Sequence, residues 1–191
     1  MAKISVILGS VREERRGIKA AKFIVKKLEE RGHEAVLIDP EVYDIPLLKN
    51  QYAYLKDEEK TENLNKLQKI FDSSEGFVIV SAEYNHGVPP ALKNIADYFM
   101  NEFFFKPSAV VTYSVGPFGG VRVLNPWRAI LAELGMPSIP SSFPIPKVQE
   151  AFDEEGNPKD PAYNKRIKKF LDEFDWYIDT FKAGREKGVP Y

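Results

Sequence analysis

Five short apolar runs, each followed by a polar loop and an amphipathic stretch, constrain this chain more than any single residue does. The runs cover residues 3–8, 34–38, 76–81, 108–113 and 137–141. Within residues 17–31, Ile18, Ala21, Ile24, Val25 and Leu28 recur at helical spacing, with Lys22, Lys26 and Glu29 on the other side and Gly32 as the stop. A polar helix is expected over residues 58–71, after a long loop that runs from Asp39-Pro40 through Tyr54. Another opens at Pro89-Pro90, where a missing amide proton costs little. A fourth runs from a Gly-rich loop to Leu134. Nearly continuous apolar strands that alternate with helices form a parallel sheet covered on both faces. Residues 143–161 are rich in Pro and charge and read as a surface loop. The last helix, residues 161–183, lines up Ile167, Phe170, Leu171, Phe174, Ile178 and Phe181 on a core-packing face. It covers the sheet, so residues 1–191 read as one domain.

Composition narrows the function classes. Lys and Arg number 27 against 28 Asp and Glu, a formal net charge of −1. A nucleic-acid binder would carry a basic excess. The absence of cysteine excludes disulfides, iron–sulfur clusters and thiol chemistry. No apolar run reaches membrane-spanning length, and no signal-peptide pattern is visible. The expectation is a cytoplasmic protein that contacts neither nucleic acid nor membrane.

The loops behind the strands carry the candidate chemistry, because ligands of open parallel sheets sit beyond the carboxyl ends of the strands. The first loop reads Gly9-Ser10-Val11-Arg12-Glu13-Glu14-Arg15-Arg16-Gly17. Gly9 permits close backbone approach, Ser10 offers a hydroxyl, and Arg12 a planar cation suited to phosphate oxygens. The free amides of the following helix start favour an anion. Glu13 and Glu14 oppose one and should point outward. The loop lacks the spacing of a dinucleotide fingerprint and of a P-loop. A phosphate site behind the first of five strands points to an α/β, flavodoxin-like three-layer sandwich with sheet order 2-1-3-4-5.

The second loop reads Ala82-Glu83-Tyr84-Asn85-His86-Gly87-Val88-Pro89. Tyr84 and Asn85 suit a shelf and a hydrogen-bonding edge for a flat ring; Tyr84 packing over its own loop is the alternative. His86 has no nucleophile with a supporting acid around it, so it reads as a bystander, and no catalytic side chain and no metal set are assigned. The third loop is Ser114-Val115-Gly116-Pro117-Phe118-Gly119-Gly120, whose glycines allow backbone to lie against a ligand. Lys93, Asn94 and Asp97 share a helix and read as capping, paired or solvated. Tyr98, Phe99, Phe103, Phe104 and Phe105 exceed what one helix and its exit can bury, which points to a homo-oligomer.

Gly9-Ser10-x-Arg12, then Glu83-Tyr84-Asn85-His86-Gly87-x-Pro89 with Leu92-Lys93-Asn94 and Asp97, then Gly119-Gly120, follow one another in order. With these residues the chain resembles the NADPH-dependent FMN reductase family of flavodoxin-like flavoproteins over residues 3–134. The resemblance implies non-covalent FMN, its phosphate on Ser10, Arg12 and the loop leading through Arg16 to Gly17 and Ile18. It places the ring against Glu83, Tyr84, Asn85 and Gly87, and against Ser114, Gly116, Gly119 and Gly120. It also implies NADPH or NADH as hydride donor, a small-molecule electron acceptor, and a homodimer or homotetramer. The chain departs from many relatives in Ala82, where they have Pro, and in Glu13-Glu14-Arg15-Arg16, where they place Ser or Asn. The expected function is an FMN-dependent NAD(P)H oxidoreductase. A flavodoxin-like electron carrier and a non-catalytic nucleotide-binding module are the alternatives.

Overall fold

Parallel pairing joins all the strands of the computed structural model, which describes residues 1–191. The strands are β1 (Lys3–Leu8), β2 (Glu34–Ile38), β3 (Gly76–Ala82), β4 (Ser108–Tyr113) and β5 (Ser138–Ile145). Their order is β2-β1-β3-β4-β5, as expected. Side chains alternate across the sheet. Val6, Leu8, Val78, Val80 and Val111 meet α1 (Gly17–Glu29) and α6 (Ala162–Arg185) on one face. Ile7, Phe77, Ile79 and Val110 meet α2 (Glu62–Ser73), α3 (Pro90–Tyr98) and α4 (Leu124–Glu133) on the other. Each large apolar side chain sealed between these layers contributes about 1.5–3 kcal/mol.

Polar groups inside the sandwich find partners. Trp127 is fully buried, and its Nε1 donates to Ser81 Oγ at 2.8 Å, which in turn donates to the Ala82 carbonyl at 2.8 Å. Asn94 bonds both ways to the long loop, accepting from the Leu48 amide at 2.8 Å and donating to the Pro46 carbonyl at 2.9 Å. Lys93 pairs with Asp97 one turn on. No helix is long and apolar enough to cross a membrane.

Three expectations change. The second helix starts later, because Thr61 caps it by accepting from the Leu64 amide at 3.3 Å, and Asp57–Glu59 forms a separate 3₁₀ turn. Residues 143–161 are not a surface loop: β5 runs through Ile145, α5 (Val148–Ala151) follows, and Phe143, Ile145, Val148 and Phe152 are buried. Phe152 packs 4.9 Å from Phe23. The strand tolerates Pro140 and Pro144 because it is an edge strand; their carbonyls accept from Arg128 at 2.6 Å and Arg166 at 2.8 Å. Finally, the aromatic excess that pointed to an interface is absorbed by the chain itself. Tyr98, Phe99 and Phe103 are buried in its own core, and Phe104 and Phe105 pack on Tyr191 at 5.7 and 4.9 Å.

Candidate functional site

A cleft of about 330 Å³ lies where the chain leaves the carboxyl ends of β1, β3 and β4. Ser10, Arg12 and Arg16 of the first loop line it, with Glu83 and Tyr84 of the second, Tyr113 and Ser114 at the exit of β4, and Val148 of α5. Glu13 and Glu14 are exposed at its mouth, and Glu14 takes up Arg16 at 3.2 Å.

The first loop is fastened from below. Arg15 turns inward and pairs with the Asp39 carboxylate, Nη2 to Oδ2 at 2.6 Å, and with Glu41 at 2.7 Å. It also donates to the Ser10 carbonyl at 3.1 Å, so it ties the loop to the exit of β2. Arg12 and Arg16 stay exposed. Helix α1 begins with no side-chain cap and no acidic residue in its first turn. The amides of Gly17 and Ile18 take no acceptor from the chain. A helix start in that condition attracts an anion through its unpaired donors and its dipole. Gly9, by contrast, lies against the protein: a Cβ there would meet Leu92 Cδ2 at 2.8 Å.

The second loop is a tight two-residue hairpin. The Tyr84 amide donates to Gly87 O at 3.1 Å and the Gly87 amide to Tyr84 O at 2.8 Å. Asn85 and His86 sit at φ 49° and 64°, the left-handed pair of a type I′ turn, and both are exposed at its tip. Neither Asn85 nor Gly87 lines the cleft. Tyr84 does, with its hydroxyl 2.6 Å from Ser10 Oγ and the Arg12 guanidinium 3.8 Å over its ring. Glu83 braces the third loop, accepting from the Arg122 amide at 2.9 Å.

In the third loop, Ser114 reaches the cleft and Gly116 is open on its free side. Gly119 and Gly120, at φ 63° and 73°, press against the chain itself: a Cβ would lie 2.9 Å from the Ile145 nitrogen and 2.7 Å from the Tyr113 carbonyl oxygen.

Sequence reasoning passed over Tyr113, Arg15, Ala82 and Val148. Tyr113 gave one usable signal, a polar end on an apolar strand just before a candidate loop. Its hydroxyl is buried with no hydrogen bond of good geometry, and burial pushes the phenol well above its ordinary range; Tyr84 adds to the effect and the Ser10 hydroxyl opposes it. Val148 lies in a charged stretch that hides it.

The sheet order and a cleft at the strand exits define the flavodoxin-like class of α/β proteins. The solved structure of FerB, a flavoenzyme NAD(P)H:(acceptor) oxidoreductase from Paracoccus denitrificans, superposes with a TM-score of 0.72 at 23% identity, covering 96% of this chain and 98% of that one. The chain belongs to the NADPH-dependent FMN reductase family, whose sequence model matches residues 2–150. It is 34% identical over 130 residues to an NAD(P)H-dependent FMN reductase of Nectria sp, covering 64% of this chain and 63% of the relative. It is 27% identical over 186 residues to an NADPH azoreductase of Bacillus sp. (strain OY1-2), covering 97% of each. Family membership makes it an oxidoreductase that uses FMN and NAD(P)H.

Proposed function

We propose that the cleft at the exits of β1, β3 and β4 is the FMN site. The start of α1 carries this reading: amides without acceptors, no cap, and Ser10, Arg12 and Arg16 within the same cleft. Those donors suit the phosphate, and Tyr84 with Ser114 and the open side of Gly116 suits a flat ring, so the residues present fit the group. When bound, FMN supplies the two-electron chemistry by which hydride from NAD(P)H reaches a second, small-molecule acceptor. The chain's part is positioning. Arg15 holds the phosphate loop in place through Asp39, and Glu83 sets the third loop through Arg122. His86 stands at an exposed turn tip and takes no part in proton movement. Of the residues named from sequence, Ser10, Arg12, Arg16, Glu83, Tyr84 and Ser114 face the cleft; Gly17 and Ile18 follow Arg16 directly, with amides that take no acceptor from the chain.

The 191 residues act as one domain on this reading, in the cytoplasm. Exposed Val115, Phe118 and Val121 beside the third loop support a homodimer or homotetramer in place of the aromatic cluster now found in the core. Sedimentation of the FMN-bound protein checks that assembly; a monomer at micromolar concentration removes it.

The test of function is a visible spectrum with and without anaerobic NADPH, joined to fluorescence titrations with FMN and riboflavin. The reading expects FMN to be preferred and its absorbance to bleach by two electrons. Bound FMN that neither NADPH nor NADH bleaches moves the protein to the electron carriers. A protein that takes up no flavin is a nucleotide-binding module of another kind.

A further inference from the structure

We propose that Tyr113 is an additional phosphate-binding residue, its hydroxyl donating to the phosphate monoester held at the N-terminus of α1, with Gly17 left bare to admit it. The proposal rests on the reading of the cleft as the FMN site and adds a residue that the sequence motifs do not contain.

Geometry comes first. Tyr113 is the last residue of β4, only 5% exposed, and lines the cleft. Its side chain reaches the first turn of α1 so closely that a Cβ on Gly17 would lie 2.1 Å from the hydroxyl oxygen and 2.3 Å from Cζ. β4 is two strands away from β1 in the sheet, roughly 10 Å at ordinary strand spacing. A serine or threonine at the end of β4 is too short for that distance, whereas a phenol spans much of it without adding flexible torsions.

The donor count comes second. The Tyr113 hydroxyl makes no hydrogen bond of good geometry in the chain: Ser10, the side chain near enough to act on it, is already held by Tyr84 at 2.6 Å, and native proteins rarely leave a buried polar group in that state. The amides of Gly17 and Ile18 beside it are also without acceptors. Two separate sets of unpaired groups, from β4 and from α1, therefore meet at one point. Arg12 and Arg16 add cations to the same cleft. What such a set lacks is an acceptor with several lone pairs and negative charge, and a phosphate monoester supplies both. Burial keeps the phenol protonated, so it is present as a donor.

The experiment compares flavin-free wild type with Tyr113→Phe in titrations against FMN and against riboflavin, read by flavin fluorescence. The expected result is a loss of about tenfold or more for FMN, the low end for a hydrogen bond to a charged acceptor, with riboflavin changed by less than about twofold. Equal losses for both ligands would make Tyr113 a packing residue and overturn the proposal, as would no loss for either. Wild type that binds FMN and riboflavin equally removes the phosphate site itself, and this proposal with it. Wild type that prefers FMN beside a Tyr113→Phe variant with the same preference removes Tyr113 alone.

A second measurement needs no variant: inorganic phosphate titrated into flavin-free wild type, followed by NMR. The Gly17 and Ile18 amides and the Tyr113 ring protons should move together with one midpoint. An unmoved Tyr113 ring while the amides shift overturns the assignment.

Discussion

The first and third loops both leave the carboxyl end of an interior strand, both are rich in glycine, and both lead into a helix. Their glycines are packed against different things. In the third loop the chain has already taken what the glycines offer: Gly119 and Gly120 lie against β4 and β5, and Thr112 Oγ1 donates to the Gly119 carbonyl at 2.7 Å. In the first loop Gly17 makes room for the Tyr113 side chain, and its own amide and that of Ile18 take no acceptor from the chain. Glycine content alone therefore does not mark a ligand contact. What each glycine lies against separates the two cases: strand backbone for Gly119 and Gly120, the Tyr113 side chain for Gly17.

The contrast breaks most readily at Gly120. Gly120→Ala should destabilise the fold by about 2–4 kcal/mol, through the left-handed backbone and the approach to the Tyr113 carbonyl. Gly116→Ala, four residues earlier, should stay within about 0.5 kcal/mol of wild type. Urea unfolding midpoints decide, and equal effects would mean that the third loop is not held by the packing of Gly120 against β4. Arg12→Ala should do the reverse. It is exposed, so the unfolding midpoint should hardly move, while FMN binding by calorimetry weakens by about 1.5–3 kcal/mol.

Between these extremes lies the latch under the first loop. Asp39→Ala leaves Arg15 with Glu41 and the Ser10 carbonyl only, and should lower stability by about 1–2 kcal/mol while loosening FMN. If FMN affinity is untouched, the latch does not position the loop. The smallest effect is expected in the second loop. His86→Gly relieves a left-handed non-glycine residue at φ 64° and should gain up to about 1 kcal/mol of stability. Reduction of the flavin by NADPH in stopped flow should stay within about tenfold of wild type; a larger drop would give His86 a role in the reaction.

Much of this was legible in the residues. The ends of β1, β2 and β4 follow from apolar runs bounded by polar loops, and the sheet order from a phosphate loop behind the first strand. The stretch after Ser141 was hidden because proline and charge mark a loop only when the strand is interior. On an edge strand Pro140 and Pro144 fit, and Ile139, Phe143 and Ile145 are then the buried half of an alternation that the prolines obscured. Tyr113 and Arg15 escaped for a different reason. Each acts on an element distant in the chain, Gly17 for one and Asp39 for the other, and no local pattern announces such a contact. The aromatic cluster failed as an interface signal because it was weighed against one helix, whereas Phe71 and Phe77 from other elements pack against it at 5.1 Å from Phe99 and 5.1 Å from Phe103.

The prolines of β5 have a consequence for how copies of this chain meet. An open edge invites a second strand by displaying a ladder of amide protons and carbonyls. Here two rungs lack their proton, and the carbonyls of those same residues are occupied by Arg128 and Arg166. A strand from another molecule would find little to zip onto, so growth of the sheet into a fibre is blocked on this flank by covalent structure. Self-association on this flank is therefore left to side-chain surfaces.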